Sequence, residues 1–295
     1  MHVLVVGGSG FVGTALCREL SERGHDVTAL SRSPEDAALP ADVTTAMGDV
    51  TAYDSIESHF EGQDAVVNLV ALSPLFKPSG GDEMHDTIHR GGTENSVRAA
   101  EAHDVSRFVQ MSALGADPTG ETAYIRAKGK AEEIVRDSDL DWVIYRPSVV
   151  FGDGGEFVPF TKKLAPPYVT ALPGGGKTRF QPIWIGDLAP MLADGVEEDA
   201  HVGEAYDVGG PEVLTLAEVA KLAHSADGRP VNVIPVPMGL AGVGLSVAGK
   251  IPGFPMGADQ YRSLKFDNTT ANNDVGAFGV TESDLQTLSA YLGVN

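Results

Sequence analysis

Short apolar runs alternate with helical patterns through the first half of this 295-residue chain. Residues 3–6 are continuously apolar and predict a buried strand, and residues 11–23 repeat their apolar positions at helical spacing. Residues 26–30 predict a second strand and 46–48 a weak third, leading into Asp49-Val50. A fourth strand is expected over 65–70, a helix over 90–103, and a fifth strand over Arg107–Met111. A long helix over 122–137 and a sixth strand over 142–145 follow, with a seventh over 204–208 ahead of the Gly209-Gly210-Pro211 turn. Buried strands alternating with helices are the mark of repeated βαβ units. The fold class is therefore α/β: a doubly wound, Rossmann-type parallel sheet with ligands at the carboxyl ends of its strands.

After Val150 the pattern changes. Residues 151–180 and 211–295 are richer in Gly and Pro and less periodic, which predicts a smaller, discontinuous substrate or partner domain. Residues 1–150 form the expected Rossmann domain, and 181–210 are expected to return to it. Residues 235–255 are nearly all apolar, with Lys250 their one charge, yet the run is too interrupted to span a bilayer. Two readings stand for it: a helix packed over the substrate cleft, or an apolar surface for a quinone-like or lipid substrate or a membrane-associated partner.

Charge narrows the functions. Forty-one acidic residues against 21 basic ones leave a net charge of −20. That excludes a nucleic-acid binder, which needs a basic footprint. It also suits a salt-adapted, halophilic surface. The single cysteine, Cys17, rules out a disulfide framework and any multi-cysteine metal site, and no metal is expected. The opening residues lack the basic region and cleavage site of a secretion signal, so a cytoplasmic protein is expected.

Gly7-Gly8-Ser9-Gly10-Phe11-Val12-Gly13 joins the first strand to the first helix. Gly7 permits the tight turn, Gly10 lets backbone approach a pyrophosphate, and Gly13 lets helix pack on sheet. The helix start then offers N–H groups and a positive dipole end to phosphate. The second strand ends in Leu30-Ser31-Arg32-Ser33. A carboxylate there would bind the ribose hydroxyl of NAD, whereas Arg32, flanked by Ser31 and Ser33, suits the 2′-phosphate of NADP(H). Tyr124 and Lys128 stand four apart, on one helical face. An ammonium there can stabilise a phenolate, making Tyr124 a candidate acid–base group. Ser112, ending the fifth strand, is positioned to hydrogen-bond a reacting oxygen.

The GxxGxxG spacing resembles the extended short-chain dehydrogenase/reductase superfamily. Ile88-His89 with Gly92-Thr93-Glu94-Asn95, the 105–109 stretch, and 111–117 resemble its atypical group typified by the NADPH-binding accessory subunit of respiratory complex I. Residues 141–148, 181–189 and 206–211 with Thr215 resemble the wider family of NAD-dependent epimerases and dehydratases, and Asp259-Gln260 to Asp267-Asn268 again the complex I-like group. The resemblance implies an adenine contact at Asp49-Val50, a ribose floor at Leu69-Val70-Ala71, and further cofactor contacts at Ser9, Phe11, Val12, Pro147 and Val149. It also implies that Lys128 holds the nicotinamide ribose and that Tyr124 lies against the cofactor. His89 stands where the superfamily usually has its catalytic Asn, and the short interval from Ser112 to Tyr124 departs from sugar-nucleotide epimerases. The expected function is an NADP(H)-dependent short-chain oxidoreductase acting on a carbonyl or alcohol of a small-molecule substrate. The alternatives are a non-catalytic NADP(H)-binding subunit, peripherally associated with a membrane complex, and a sugar-nucleotide epimerase or dehydratase. The sequence assigns no oligomeric state.

Overall fold

The computed structural model describes residues 1–239 and 258–294. Most of the apolar 235–255 run therefore lies outside the described residues. Seven strands form the central sheet: β1 (His2–Val6), β2 (Asp26–Ser31), β3 (Thr44–Met47), β4 (Ala65–Asn68), β5 (Arg107–Met111), β6 (Asp141–Pro147) and the Ala205–Val208 strand. Their order across the sheet is Ala205–Val208, β6, β5, β4, β1, β2, β3. The neighbours from β3 to β6 all pair in parallel. Register aligns Leu30, Val6, Asn68, Gln110 and Ile144 in one row, so β1, β2, β4 and β5 end within one residue of it while β6 runs on to Pro147. The chain builds outward from β1 in one direction and from β4 in the other. Their junction is the switch point at which doubly wound sheets bind ligands.

The described helices include α1 (Phe11–Glu22), α2 (Glu83–His85), α3 (Gly92–Ala102), α4 (Ala123–Arg136), α5 (Phe157–Leu164), α6 (Ile185–Glu197) and α7 (Leu216–Ser225). One sheet face buries Leu4, Val66, Phe108 and Ile144 against Val97 and Ala100 of α3 and Val135 of α4. At the C-cap of α1, Arg23 clamps α6 by reaching Asp194 at 2.7 Å and Glu197 at 2.6 Å.

Two compact units emerge: Met1–Leu72, Glu83–Arg146 and Ile185–Tyr206 make the first, and Ser73–Asp82, Pro147–Trp184 and Asp207–Asn295 the second. The second unit has its own cores, one around Phe160, Leu172, Leu216 and Ala220 and one around Phe151, Phe157, Val219 and Leu288. In it Tyr168–Pro173 pairs in parallel with Val231–Val236.

Three elements differ from the sequence expectation. Strand β4 stops at Asn68, before Leu69 and Val70: the Val70 N–H donates to Asn68 Oδ1 at 3.4 Å, while the same amide's nitrogen donates to Thr93 Oγ1 and Gln110 Oε1 at 3.1 and 3.0 Å. Strand β3 ends at Met47, ahead of Gly48, where a Cβ would stand 2.7 Å from the Ser55 carbonyl. The helix expected from 90 starts at Glu83 and passes through a π-helical turn, Asp86–Gly91, before α3. Such turns offset side chains from the usual helical period. Among the described residues, no helix is long and apolar enough to cross a membrane.

Candidate active site

The first βα turn is held by the β2 carbonyl of Leu30, which accepts from the Gly7 N–H at 2.8 Å. Gly7 adopts φ +89°, a conformation that favours glycine. A Cβ on Gly13 would lie 2.2 Å from the Gly7 carbonyl oxygen, so that position has no room for a side chain. Gly10 is the N-cap of α1 and no side chain caps it. Phe11 and Val12 follow in the first turn, whose N–H groups have no carbonyl one turn earlier to bond. An anion fits there.

Beside this turn, in the first unit, opens a cleft of about 610 Å³. Its walls include Gly7, Ser9 and Gly10 from the turn, Ser31, Arg32 and Ser33 from the end of β2, and Asp49 and Val50 after β3. Leu69, Val70 and Ala71, just beyond β4, complete the floor. The Ser31 Oγ is buried and has no hydrogen-bond partner, while Arg32 is exposed at the rim. Asp49 accepts from the Thr51 N–H and hydroxyl at 2.9 and 2.8 Å. Those bonds, aided by the Arg32 charge and opposed by burial, hold its carboxyl below the ordinary range. A dinucleotide fits this donor set: helix start for pyrophosphate, orphaned hydroxyl and arginine for ribose substituents, apolar floor for rings.

Thr51, Leu72, Met84 and Ile88 also line the cleft and were not foreseen. Met84 and Ile88 come from α2 and the π-helical turn, which hydrophobic periodicity does not reveal. Thr51 had a signal, since Asp-x-Thr is the spacing of a side-chain-closed turn.

Thr122 caps α4 by accepting from the Ile125 N–H at 3.2 Å, and this fixes the turn that presents Tyr124. One turn on, Lys128 is 1% exposed, and its Nζ donates to the Met111 carbonyl at 2.8 Å. Burial pushes its pKa down to about 8, although the Glu132 charge one turn further pulls the other way. Glu132 is in turn gripped by Arg146 through two bonds of 2.8 and 2.5 Å. Ser112 is 2% exposed; its N–H donates to the Tyr145 carbonyl at 2.7 Å, and its Oγ has no partner. Burial raises the Tyr124 phenol, so it is the protonated, acid form at neutral pH.

Two imidazoles flank Tyr124. The His85 and His89 rings lie 5.6 and 5.3 Å from its centroid, each nearly edge-on. Pro147 and Val149 belong to the second unit, where the Val149 N–H donates to Asn268 Oδ1 at 3.0 Å.

Residues 7–163 match the family model described as NAD(P)H-binding. A 2-alkyl-3-oxoalkanoate reductase of Stenotrophomonas maltophilia (strain K279a) is 31% identical over 262 residues, which cover 78% of this chain and 77% of that protein. The mitochondrial NADH dehydrogenase (ubiquinone) 1 alpha subcomplex subunit 9 of Arabidopsis thaliana is 26% identical over 291 residues, 91% of this chain and 71% of the relative. A nucleoside-diphosphate-sugar epimerase from Staphylococcus aureus superposes with a TM-score of 0.74 over 99% of both chains, at 19% identity, a likeness of fold. A UDP-glucose 4-epimerase from Thermus thermophilus, solved with NAD, gives 0.68 at 21% identity, over 92% of this chain and 95% of that one. On the family match and the 31% identical reductase, the chain belongs to the NAD(P)H-binding family, in its extended short-chain dehydrogenase/reductase branch.

Proposed function

We propose that this chain is an NADP(H)-dependent oxidoreductase that transfers hydride to or from a carbonyl or alcohol carbon of a small, apolar substrate. One observation carries the reading: Lys128 is a buried ammonium one helical turn from Tyr124, bonded to the carbonyl just ahead of Ser112. A buried charge is costly unless something requires it. On this reading the charge serves the phenol one helical turn away, which would lose and regain a proton.

When bound, the reduced nicotinamide supplies a hydride to the substrate carbon. Ser112 Oγ donates to the substrate oxygen and orients it. As the carbonyl π pair moves onto that oxygen, the Tyr124 phenol gives up its proton to it, leaving a phenolate. The Lys128 ammonium would stabilise that phenolate and is the group that would hold the ribose hydroxyls of the cofactor. Alcohol oxidation reverses each transfer. The choice of NADP(H) rests on Arg32 and the orphaned Ser31 hydroxyl at the end of β2, where no carboxylate stands.

A second reading is favoured by two relatives whose names are those of respiratory-chain subunits, the Arabidopsis protein and a 40 kDa subunit of mitochondrial NADH-ubiquinone oxidoreductase from Neurospora crassa. On that reading NADP(H) stabilises a peripheral member of a membrane complex and is not turned over. Epimerisation of a sugar nucleotide has only the likeness of fold behind it. For the leading reading, the acidic composition fits a salt-adapted enzyme of the cytoplasm.

The test is NADPH oxidation by the purified chain with a panel of aliphatic aldehydes, ketones and short-chain quinones. Turnover that disappears in Tyr124→Phe supports the oxidoreductase. Tight NADPH binding with no Tyr124-dependent turnover on any of them supports the accessory role.

A further inference from the structure

The cluster beside Tyr124 is built more closely than packing alone requires. His85 closes α2 and His89 lies one turn on, inside the π-helical Asp86–Gly91. Their rings stack 15° from parallel with centroids 5.5 Å apart, and both meet the Tyr124 ring nearly at right angles. Edge-to-face contacts of this kind are the favoured arrangement of aromatic rings. Both imidazoles are buried, at 0% and 1% exposure. Phenylalanine would fill such a space at lower cost, so the ring nitrogens need a reason.

Their hydrogen bonds supply one. The Leu72 backbone N–H, at the cleft wall, donates to His89 Nε2 at 3.4 Å. A ring nitrogen that accepts carries no proton, so neutral His89 holds its hydrogen on Nδ1. His85 Nδ1 lies 3.4 Å from the same His89 Nε2, and this second contact is a hydrogen bond only if His85 also carries its hydrogen on Nδ1. The Leu72 N–H thus marks Nε2 as the accepting nitrogen of His89 and, with the His85 ring stacked beside it, sets the rotation of the His89 ring. Its Nδ1–H has no partner.

The charges around the pair keep His89 uncharged. From α4 it faces Tyr124 and Lys128, whose cation opposes a second one, and His85 acts in the same direction; burial contributes most. On its own segment Asp86 is engaged by Arg90 at 2.9 Å and Lys130 at 3.3 Å.

We propose that His89, fixed as its Nδ1–H tautomer by the Leu72 N–H and stacked on His85, is a positioning residue that clamps the Tyr124 ring and so sets the direction in which the phenol presents its proton. The clamp rests on the oxidoreductase reading for its purpose, since a non-catalytic subunit has no use for an aimed phenol. It links the cleft wall at Leu72 to the acid–base group through one rigid ring.

The experiment is nuclear magnetic resonance on the full chain, labelled with nitrogen-15 in its imidazoles and carbon-13 at tyrosine Cζ. The His89 and Tyr124 signals are assigned by their loss in His89→Gln and Tyr124→Phe. Between about pH 6 and pH 8, where a free histidine titrates, His89 should show a protonated Nδ1 and a bare Nε2 throughout. An Nε2–H tautomer or an imidazolium in that range overturns the proposal. The Tyr124 Cζ signal should move in His89→Ala and return toward its wild-type position in His89→Gln, whose amide oxygen can accept from Leu72. An unmoved Tyr124 signal in a folded His89→Ala also overturns it. If His89→Ala does not fold, the wild-type tautomer and the His89→Gln spectrum still decide. NADPH titration of the wild type stands apart: its failure would sink the proposed function and leave the tautomer and the Tyr124 shift to judge the clamp.

Discussion

Lys128 Nζ is bonded to the Met111 carbonyl oxygen at 2.8 Å, one residue before Ser112. That bond ties α4 to the carboxyl end of β5. Two groups 12 residues apart in sequence, Ser112 and Tyr124, are thereby referenced to the same ammonium. The lysine's ammonium end is thereby held in a fixed place.

Its proton should govern the alkaline limb of activity. Burial places the Lys128 pKa at about 8, below its ordinary value near 10.5. Turnover that needs the ammonium should fall as pH rises through about 8. Stability should go the other way. Between about 8 and 10.5 the unfolded chain holds a proton that the folded chain has lost, so the cost of burying this group, full below about 8, is relieved as pH rises. Compared with Lys128→Met, the wild type should gain at most about 1.4 kcal/mol per pH unit across that window. Denaturant unfolding at a series of pH values reads the difference, and parallel profiles for the two proteins would refute the assignment.

Tyr124→Phe should abolish turnover while leaving NADPH affinity nearly unchanged, because the phenol exchanges a proton and holds no phosphate. Lys128→Met should damage both. Steady-state rates and cofactor titrations on the two variants separate these outcomes, and a fully active Tyr124→Phe would take that residue out of the mechanism.

Gly13→Ala should be destabilising by about 1–3 kcal/mol, the range for overpacking a tight contact. A Cβ there meets the Gly7 carbonyl oxygen at 2.2 Å, and backbone has to move to admit it. The same shift should widen the turn at the helix start, so cofactor affinity should fall together with the melting temperature. Wild-type affinity in this variant would show that the turn tolerates displacement.

Most of the scaffold was legible in the sequence, and so was most of the cleft lining. Buried parallel strands are continuous apolar runs, so Arg107–Met111 and its neighbours stand out, and turn glycines mark the switch point. What escaped lies where polar residues are buried. His85 and His89 are polar by hydropathy, which gives no signal of burial, yet both sit in the interior, His89 on a π-helical turn that shifts the period. Met84 and Ile88 reach the cleft from that same stretch. The partner of Lys128 was invisible for a different reason: it is a backbone carbonyl, which every residue has. The second unit, with its paired strands Tyr168–Pro173 and Val231–Val236, gave little periodic signal because exposed and buried positions there follow no single repeat.

Thermal stability should rise from dilute buffer to molar potassium chloride. With a net charge of −20 the folded chain repels itself, and at about 1 M salt the screening length shrinks to about 3 Å. A melting temperature that is flat or falling across that range would leave the chain acidic without being salt-adapted.

The most direct measurement is a pair of titrations, NADPH and NADH against the wild type and Arg32→Ala. The 2′-phosphate gives Arg32 a charge-assisted contact of about 1.5–3 kcal/mol, or roughly ten- to a hundredfold in affinity. The wild type should therefore bind NADPH tighter than NADH by that factor, and Arg32→Ala should bring the two dissociation constants together by weakening NADPH alone. Equal constants in the wild type, or a preference untouched by Arg32→Ala, would contradict the assignment of the β2 rim to NADP(H).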